Sequence, residues 1–263
     1  MVIPVFKSTY SHGKSILTFE TDCEEDGPDS IIEICLDRGI KDLVLVEDNL
    51  TSFMKAFKAC DSNGINLIYG VSLIFCSDMQ ENDTNSFHKG VIFAKDDKGC
   101  EIMNRIYSCA NTESGFLSKK PQDPDSEMDV VSPRIDYKNF YKYWDEKHLS
   151  FVVPFYDSFI HKNNFYHREA NPDFSKIKNP IFWVENNNLP FDHLISKKVL
   201  EYTEKNGYKT CDVKSILYKN KEDIEAFQTY RVLCNRANSK RGDLQNPELD
   251  HFGSDEFCVE AIK

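Results

Sequence analysis

The chain has no cysteine pairs at metal-site spacing, no excess of basic residues and no long apolar run. Its nine cysteines are scattered without a Cys-x-x-Cys pair, which is typical of reduced thiols rather than of a zinc ribbon or a disulfide framework. No apolar stretch approaches the roughly 18 residues that a membrane span needs. The first residues turn polar too soon for a signal peptide. We therefore expect a soluble cytoplasmic protein without a membrane partner.

The charge balance is acidic. Asp and Glu number 43 against 32 Lys and Arg, which gives a formal net charge of −11. Such a chain has no long-range attraction for a phosphate backbone, so strong autonomous binding to nucleic acid is not expected. The best candidate for a local basic patch is a group near the C-terminus (Arg231, Arg236, Lys240 and Arg241), and its simpler interpretation is a solvated helix end and loop. The Asn-, Lys- and Asp-rich composition is compatible with a phage protein acting in a bacterial host.

Short apolar runs alternate with longer amphipathic stretches, as in βα units around a mostly parallel sheet. The pattern predicts strands at 2–6, 42–46, 65–76, 90–95, 149–154, 181–185 and 208–213. It predicts helices from the Ser30 cap to Gly39 and at 51–62, 98–110, 137–146, 191–206 and 221–236. Residues 111–133, rich in Ser, Asp and Pro, are predicted to form an acidic surface loop. Since no interdomain linker is visible, we expect a single domain over residues 1–263.

Several strings occur in the order and spacing of a known family. They are Ser8-Thr-Tyr-Ser11, Val44–Leu50, Asn63–Ser72, His88–Lys95, Pro133-Arg-Ile-Asp136, Asn220–Phe227 and Ser254–Phe257. Together they resemble the PHP (polymerase and histidinol phosphatase) domain at the N-terminus of the bacterial DNA polymerase III alpha subunit, over nearly the whole chain. The resemblance implies an α/β fold, a distorted (βα)7 TIM-like barrel of the PHP type. Its functional residues would lie at the carboxyl ends of the strands.

Active members of that family bind up to three metal ions, which activate water against a phosphoester. Carried over residue by residue, the ligand positions fall on Val5, Lys7, Val46, Glu47 and Ser72, with another near Phe155. The last two fall on Ser215 and Leu217 in a gap-free reading, or on Asp212 and Lys214 after a shift by three. Only His88 keeps the family's residue. The resemblance therefore implies a degenerate metal site with no catalytic residue.

Two hypotheses concern what replaces the metals. The Lys7 ammonium either pairs with Glu47 or Asp48, in place of the metal's charge, or reaches solvent. A remodelled metal site would instead use His12, Glu47, Asp48, His88 and Asp212. No cofactor is expected, and Zn, Mn or Mg would serve only if activity persists.

The resemblance implies a catalytically inactive domain that acts as a protein-interaction module in DNA replication. Its expected partners are replication proteins: a proofreading exonuclease, a polymerase subunit or a clamp. Two alternatives stay open. The chain is the first domain of a polymerase III alpha-like DNA polymerase whose activity lies elsewhere, or it is a remodelled metal-dependent phosphoesterase or 3'-5' exonuclease.

Overall fold

The computed structural model describes residues 2–21, 27–80, 87–112, 133–165, 170–236 and 254–262. The predicted acidic loop at 111–133 lies almost wholly outside the described residues, as do Lys240 and Arg241. The chain forms two compact units, each assembled from separate stretches. The first unit comprises Met1–Gly70, Glu185–His193 and Asp212–Lys263, and the second comprises Val71–Val184 and Leu194–Cys211.

The chain is built from alternating strands and helices, which confirms the predicted α/β class. The strands are β1 (Ile3–Phe6), β2 (Asp42–Glu47), β3 (Asn66–Cys76), β4 (His88–Ala94), β5 (Arg134–Asp136), β6 (Leu149–Val153), β7 (Ile181–Val184) and β8 (Lys209–Ile216). The helices are α1 (Ile31–Arg38), α2 (Phe53–Ser62), α3 (Asp97–Thr112), α4 (Tyr137–Phe140), α5 (Phe159–Phe165), α6 (Asp192–Asn206) and α7 (Ile224–Arg236). Short 3-10 segments span Lys221–Asp223 and Val259–Ala261. Within the described part of the chain, every helix is too short or too polar to cross a bilayer.

In the first unit, β1 lies between β2 and β8 and is parallel to both. Val5 is level with Val44 on one side and with Ser215 on the other. Neighbouring residues at one level of a parallel sheet point to the same face. Phe6 and its partners Leu45 and Ile216 therefore share the opposite face, and all three are fully buried.

Helix α1 has the ends that the sequence predicted. The Ser30 side chain accepts a hydrogen bond from the backbone N–H of Glu33, which satisfies one of the free donors of the first turn. Gly39 ends the helix with φ 65°, in the left-handed region that glycine adopts without steric cost.

In the second unit, β6 is parallel to β7 and antiparallel to β4, while β3 is parallel to β5. The antiparallel pair departs from the mostly parallel sheet that the sequence predicted. The two strands approach closely at Gly90, where an added Cβ would lie 2.7 Å from Cζ of Phe151. A glycine is therefore required at this point of β4.

The sequence predictions missed helix α5 and the short strand β5, and they misplaced the C-terminal end of one helix and of one strand by three residues or more. The helix predicted at 137–146 ends at Phe140 and continues as turns, in which Trp144 stacks on Phe140 with centroids 5.2 Å apart and both rings contact Phe151. The Lys/Asn-rich connector after β6 contains helix α5. Its buried residues Phe159 and Ile160 were hidden among polar ones.

Strand β8 runs three residues past the predicted end. Its last four residues, Val213–Ile216, include two polar side chains that break the apolar run. The pairing with β1 keeps them in the sheet. A tertiary contact thus extends this strand beyond what its composition indicates.

Candidate functional site

The carboxyl ends of β1 and β2 meet around a buried carboxylate, Glu47. Its side chain accepts hydrogen bonds from the backbone N–H of Ser8 at 3.0 Å and from the hydroxyls of Ser8 and Ser11. Glu47 is fully buried. Burial raises the pKa of Glu47, and the charge of Lys7 and the two serine hydroxyls offset part of that rise. Neutral donors therefore hold an acid that keeps its proton more readily than an exposed glutamate.

Lys7 and Asp48 form a salt bridge beside Glu47. Nζ of Lys7 lies 2.9 Å from Oδ1 of Asp48, and the side chains are 19% and 36% exposed. Of the two hypotheses for Lys7, the structure supports pairing, with Asp48 as the partner. An ammonium thus stands at a position where the PHP resemblance places a metal ligand, and it repels divalent cations.

The loop after β1 is fixed to the end of β2 by further hydrogen bonds. The Ser11 hydroxyl accepts from the backbone N–H of Asp48 at 2.9 Å while it donates to Glu47. The side-chain amide of Asn49 donates to the backbone oxygen of Tyr10 at 2.8 Å. The loop and the strand end therefore lock each other in place without an added ligand.

Three of the six predicted degenerate positions in the first unit are apolar and buried. Val5, Val46 and Leu217 are at most 5% exposed, and aliphatic side chains offer no lone pair to a metal. Ser215 of β8 is paired with Val5 of β1. Asp212 and Lys214, the positions of the shifted reading, alternate with Val213 and Ser215 and point to the opposite face.

A second buried carboxylate, Glu185, follows β7. It accepts hydrogen bonds from the backbone N–H and hydroxyl of Ser215, at 3.1 and 2.9 Å, and from the side-chain amide of Asn187 at 3.0 Å. Burial raises the pKa of Glu185, against the effect of these donors and of the charge of Lys214. The sequence prediction missed this residue, although an acidic side chain directly after a buried strand was a usable signal.

Lys214 is 5% exposed and links the Glu185 region to the C-terminal segment. Its ammonium donates to the backbone oxygen of Asn186 and to Oε2 of Glu256, both at 3.1 Å. The segment from Asn186 to Pro190 follows β7, and Asn188 in it has a left-handed backbone with φ 56°. Asp192 accepts from the backbone N–H groups of Asn187 and Leu189 there.

His88, which keeps the family's residue, lies in the aromatic core of the second unit. Its Nε2 is 3.1 Å from the hydroxyl of Tyr137, and its ring stacks on Phe75 with centroids 5.9 Å apart. The side chain is 4% exposed. Ser72 lies half-buried on β3, and Phe155 is fully buried just after β6.

The second unit also carries a charged cluster that the sequence prediction missed, around Asp157. Its carboxylate contacts Nζ of Lys89 at 2.9 Å and Nζ of Lys162, and its backbone N–H donates to Nδ1 of His161 at 3.0 Å. The backbone of Asp157 is left-handed, with φ 58°. Burial by itself raises the pKa of Asp157, but the two lysines outweigh it and hold the pKa well below its ordinary value.

Two residues of the hypothetical remodelled site contact other side chains, and a third is exposed. Nδ1 of His12 lies 3.9 Å from Sγ of Cys234, Asp48 pairs with Lys7, and Asp212 is exposed on β8. Among the residues that the structure describes, no three His, Cys, Asp or Glu side chains form a group that could hold a metal ion. We also found that no family model and no curated protein matches this chain.

Proposed function

We propose that this chain is a distorted (βα)7 barrel of the PHP type and that it acts as a non-catalytic protein-interaction module in DNA replication. One observation carries the proposal: the Lys7–Asp48 salt bridge beside a Glu47 that is hydrogen-bonded by Ser8 and Ser11. These contacts place a positive charge and satisfied donors where an active member would hold metal ions. The edge is therefore stable without a cation.

The pairing of β1 with β8 supports the gap-free reading of the last ligand pair. Ser215 lies beside Val5, so the first and last ligand positions of the family share one face, as a common metal site requires. The shifted reading would put Asp212 and Lys214 on the other face. Under the supported reading, no imidazole remains at these positions to bind a metal and activate water.

A fold that has lost its chemistry retains its surface, and surface functions are separable from catalysis. Helix α2 offers an apolar pair on its outer side. Met54 and Phe57 are 57% and 48% exposed, and they lie one turn apart on the same helix face. Phe57 stacks on Phe53 with centroids 6.3 Å apart. We propose this helix face as a contact for a replication protein: a proofreading exonuclease, a polymerase subunit or a clamp.

Metal content is the first test. Purified protein, dialysed against a chelator-free buffer, is expected to contain well under half an equivalent of Zn, Mn or Fe, because catalytic zinc needs about three protein ligands. Chelation by EDTA should leave the melting temperature unchanged. A stoichiometric metal, together with metal-dependent hydrolysis of a phosphoester or of single-stranded DNA, would replace the binding function by the phosphoesterase or exonuclease alternative.

Direct binding is the second test. The purified chain is mixed with the exonuclease, clamp and polymerase subunits of its source organism, or of the host if the source is a phage. We expect one of them to bind, and Met54→Gln with Phe57→Ser to weaken binding at least about tenfold, since buried apolar anchors dominate interface energies. Lys7→Met, which alters the former metal edge, is the matched control and should bind as the unaltered chain does. Failure of every subunit to bind would refute the proposal.

A further inference from the structure

A cysteine, a histidine and a tyrosine meet where α7 packs on the loop after β1, in the first unit. Sγ of Cys234 lies 3.9 Å from Nδ1 of His12, and the rings of His12 and Tyr230 meet edge to face with centroids 6.2 Å apart. Tyr230 and Cys234 are four residues apart, so they lie on one face of the helix. The loop therefore brings an imidazole to a thiol that is more than 200 residues away in the sequence.

The backbone of the loop is shaped to approach this thiol. Gly13 has φ 70°, and a Cβ added there would lie 3.0 Å from Cβ of Cys234. Glycine allows both the left-handed conformation and the close approach.

Cys234 differs from the other described cysteines in its access and surroundings. Cys35, Cys60, Cys76, Cys109 and Cys258 are buried, while Cys100, Cys211 and Cys234 are half-buried. Burial and the charges of Asp97 and Asp96 raise the pKa of Cys100, which disfavours its thiolate. Of the half-buried thiols, Cys234 has an imidazole within contact distance, and His12 itself is exposed.

We propose that Cys234 is a thiol-modification site of this protein and that it forms mixed disulfides with low-molecular-weight disulfides. The His12 imidazole accepts the thiol proton, and the thiolate, which is the nucleophilic form, attacks one sulfur of the incoming disulfide. A new S–S bond forms at Cys234 as the old one breaks. The departing thiolate takes the proton back from the imidazolium and leaves as a free thiol, so that no further oxidant is needed.

The test measures modification of each cysteine in the folded chain. The protein is incubated with oxidised glutathione at neutral pH, quenched with acid, digested and analysed by mass spectrometry. Cys234 is expected to react faster than Cys100 and Cys211. His12→Gln should slow the reaction of Cys234 about tenfold, since it removes the proton acceptor. Cys23, outside the described residues, is followed by its own peptide and does not enter the comparison.

Two controls separate chemistry from folding. His193→Gln replaces an exposed histidine and should leave the rate at Cys234 unchanged. Circular dichroism and the melting temperature of His12→Gln should equal those of the unaltered chain. Reaction of Cys234 no faster than that of Cys100 and Cys211, or an unchanged rate in a folded His12→Gln variant, would overturn the proposal.

Discussion

The carboxylates of Glu47, the last residue of β2, and of Asp157, four residues after β6, are both held by other side chains, yet their proton affinities shift in opposite directions. Serine hydroxyls and a backbone N–H surround Glu47, and burial prevails, so its pKa rises. Two lysines contact Asp157, and their charges prevail over burial, so its pKa falls. Hydrogen bonds from neutral groups satisfy the geometry of a buried carboxylate, but cations in direct contact fix its charge.

The comparison also bears on the proposed loss of the metal site. A metal ion would act on Glu47 as the two lysines act on Asp157, by favouring the ionised form. The charge of Lys7 lowers the pKa of Glu47, but Lys7 makes its salt bridge to Asp48 rather than to Glu47. At the edge of β1 and β2 the buried acid is therefore held by neutral donors, while the Lys7 ammonium pairs with the neighbouring Asp48.

The largest effect is expected for Asp157→Asn. The amide tolerates the left-handed backbone but leaves Lys89 and Lys162 side by side without a counter-charge. We expect a loss of about 3 kcal/mol in the free energy of unfolding, measured with urea, as for the breaking of a partly buried ion pair. Asp42→Asn, which replaces an exposed carboxylate, is the control and should leave stability unchanged. An equal loss in both variants would mean that the lysines do not define this cluster.

We expect truncation of the Glu47 side chain to lower the free energy of unfolding more than removal of its charge alone does. Glu47→Ala leaves the hydroxyls of Ser8 and Ser11 without their acceptor and should cost about 2 kcal/mol of unfolding free energy. Glu47→Gln keeps an acceptor oxygen in place and should cost less than about 1 kcal/mol. A larger loss in Glu47→Gln than in Glu47→Ala would show that the ionised carboxylate stabilises this edge, as at Asp157.

The two regions should also differ in their dependence on pH. Because the pKa of Glu47 and that of Glu185 are raised in the folded state, stability falls as pH rises above their ordinary value of 4.5, by roughly 1.4 kcal/mol per pH unit and carboxyl within the window. Because the pKa of Asp157 is lowered, its contribution is present above 3.8 and is lost as pH falls further. Urea unfolding at several pH values should therefore show that the stability of Glu47→Gln and of Glu185→Gln rises relative to that of the unaltered chain from pH 5 upwards. Parallel stability–pH profiles for these variants and the unaltered chain would contradict the raised pKa values of Glu47 and Glu185.

The smallest effect is expected for Lys7→Met. The salt bridge to Asp48 is partly exposed, so its loss should cost about 0.5–1 kcal/mol. Removal of the Lys7 charge should also raise the pKa of Glu47 further, because that charge lowers it in the folded chain. The pH profile of Lys7→Met should accordingly shift to higher pH. Lys98→Met, in an exposed pair with Glu101, should change neither stability nor profile.

Much of the fold was predictable because it depends on local signals. The cap at Ser30, the left-handed Gly39 and the apolar run in β2 each specify a boundary from a few neighbouring residues. The elements that were missed depend on distant partners. Helix α5 forms on the burial of Phe159 and Ile160, and the end of β8 is set by its pairing with β1.

The candidate site was predictable in part. The sequence left open whether Lys7 pairs with Glu47 or Asp48 or reaches solvent, and the structure supports pairing with Asp48. The roles of Ser8 and Ser11 were hidden, because a serine string next to a strand gives no sign of which carboxylate it will bind. Glu185 and Asp157 were missed for the same reason: their partners come from separate elements of the chain.

The sequence by itself determined the α/β class, the order of most elements and the apolar character of the core strands. These follow from the periodicity and identity of single residues, which act over a few neighbours. Only the tertiary structure decided in which direction the pKa of each buried acid shifts. It also decided that Ser215 shares a face of the sheet with Val5 and that His12 contacts Cys234. Those properties depend on burial and on contacts between residues 30 to more than 200 positions apart, because proton affinity and reactivity are set by the surroundings of a group in space.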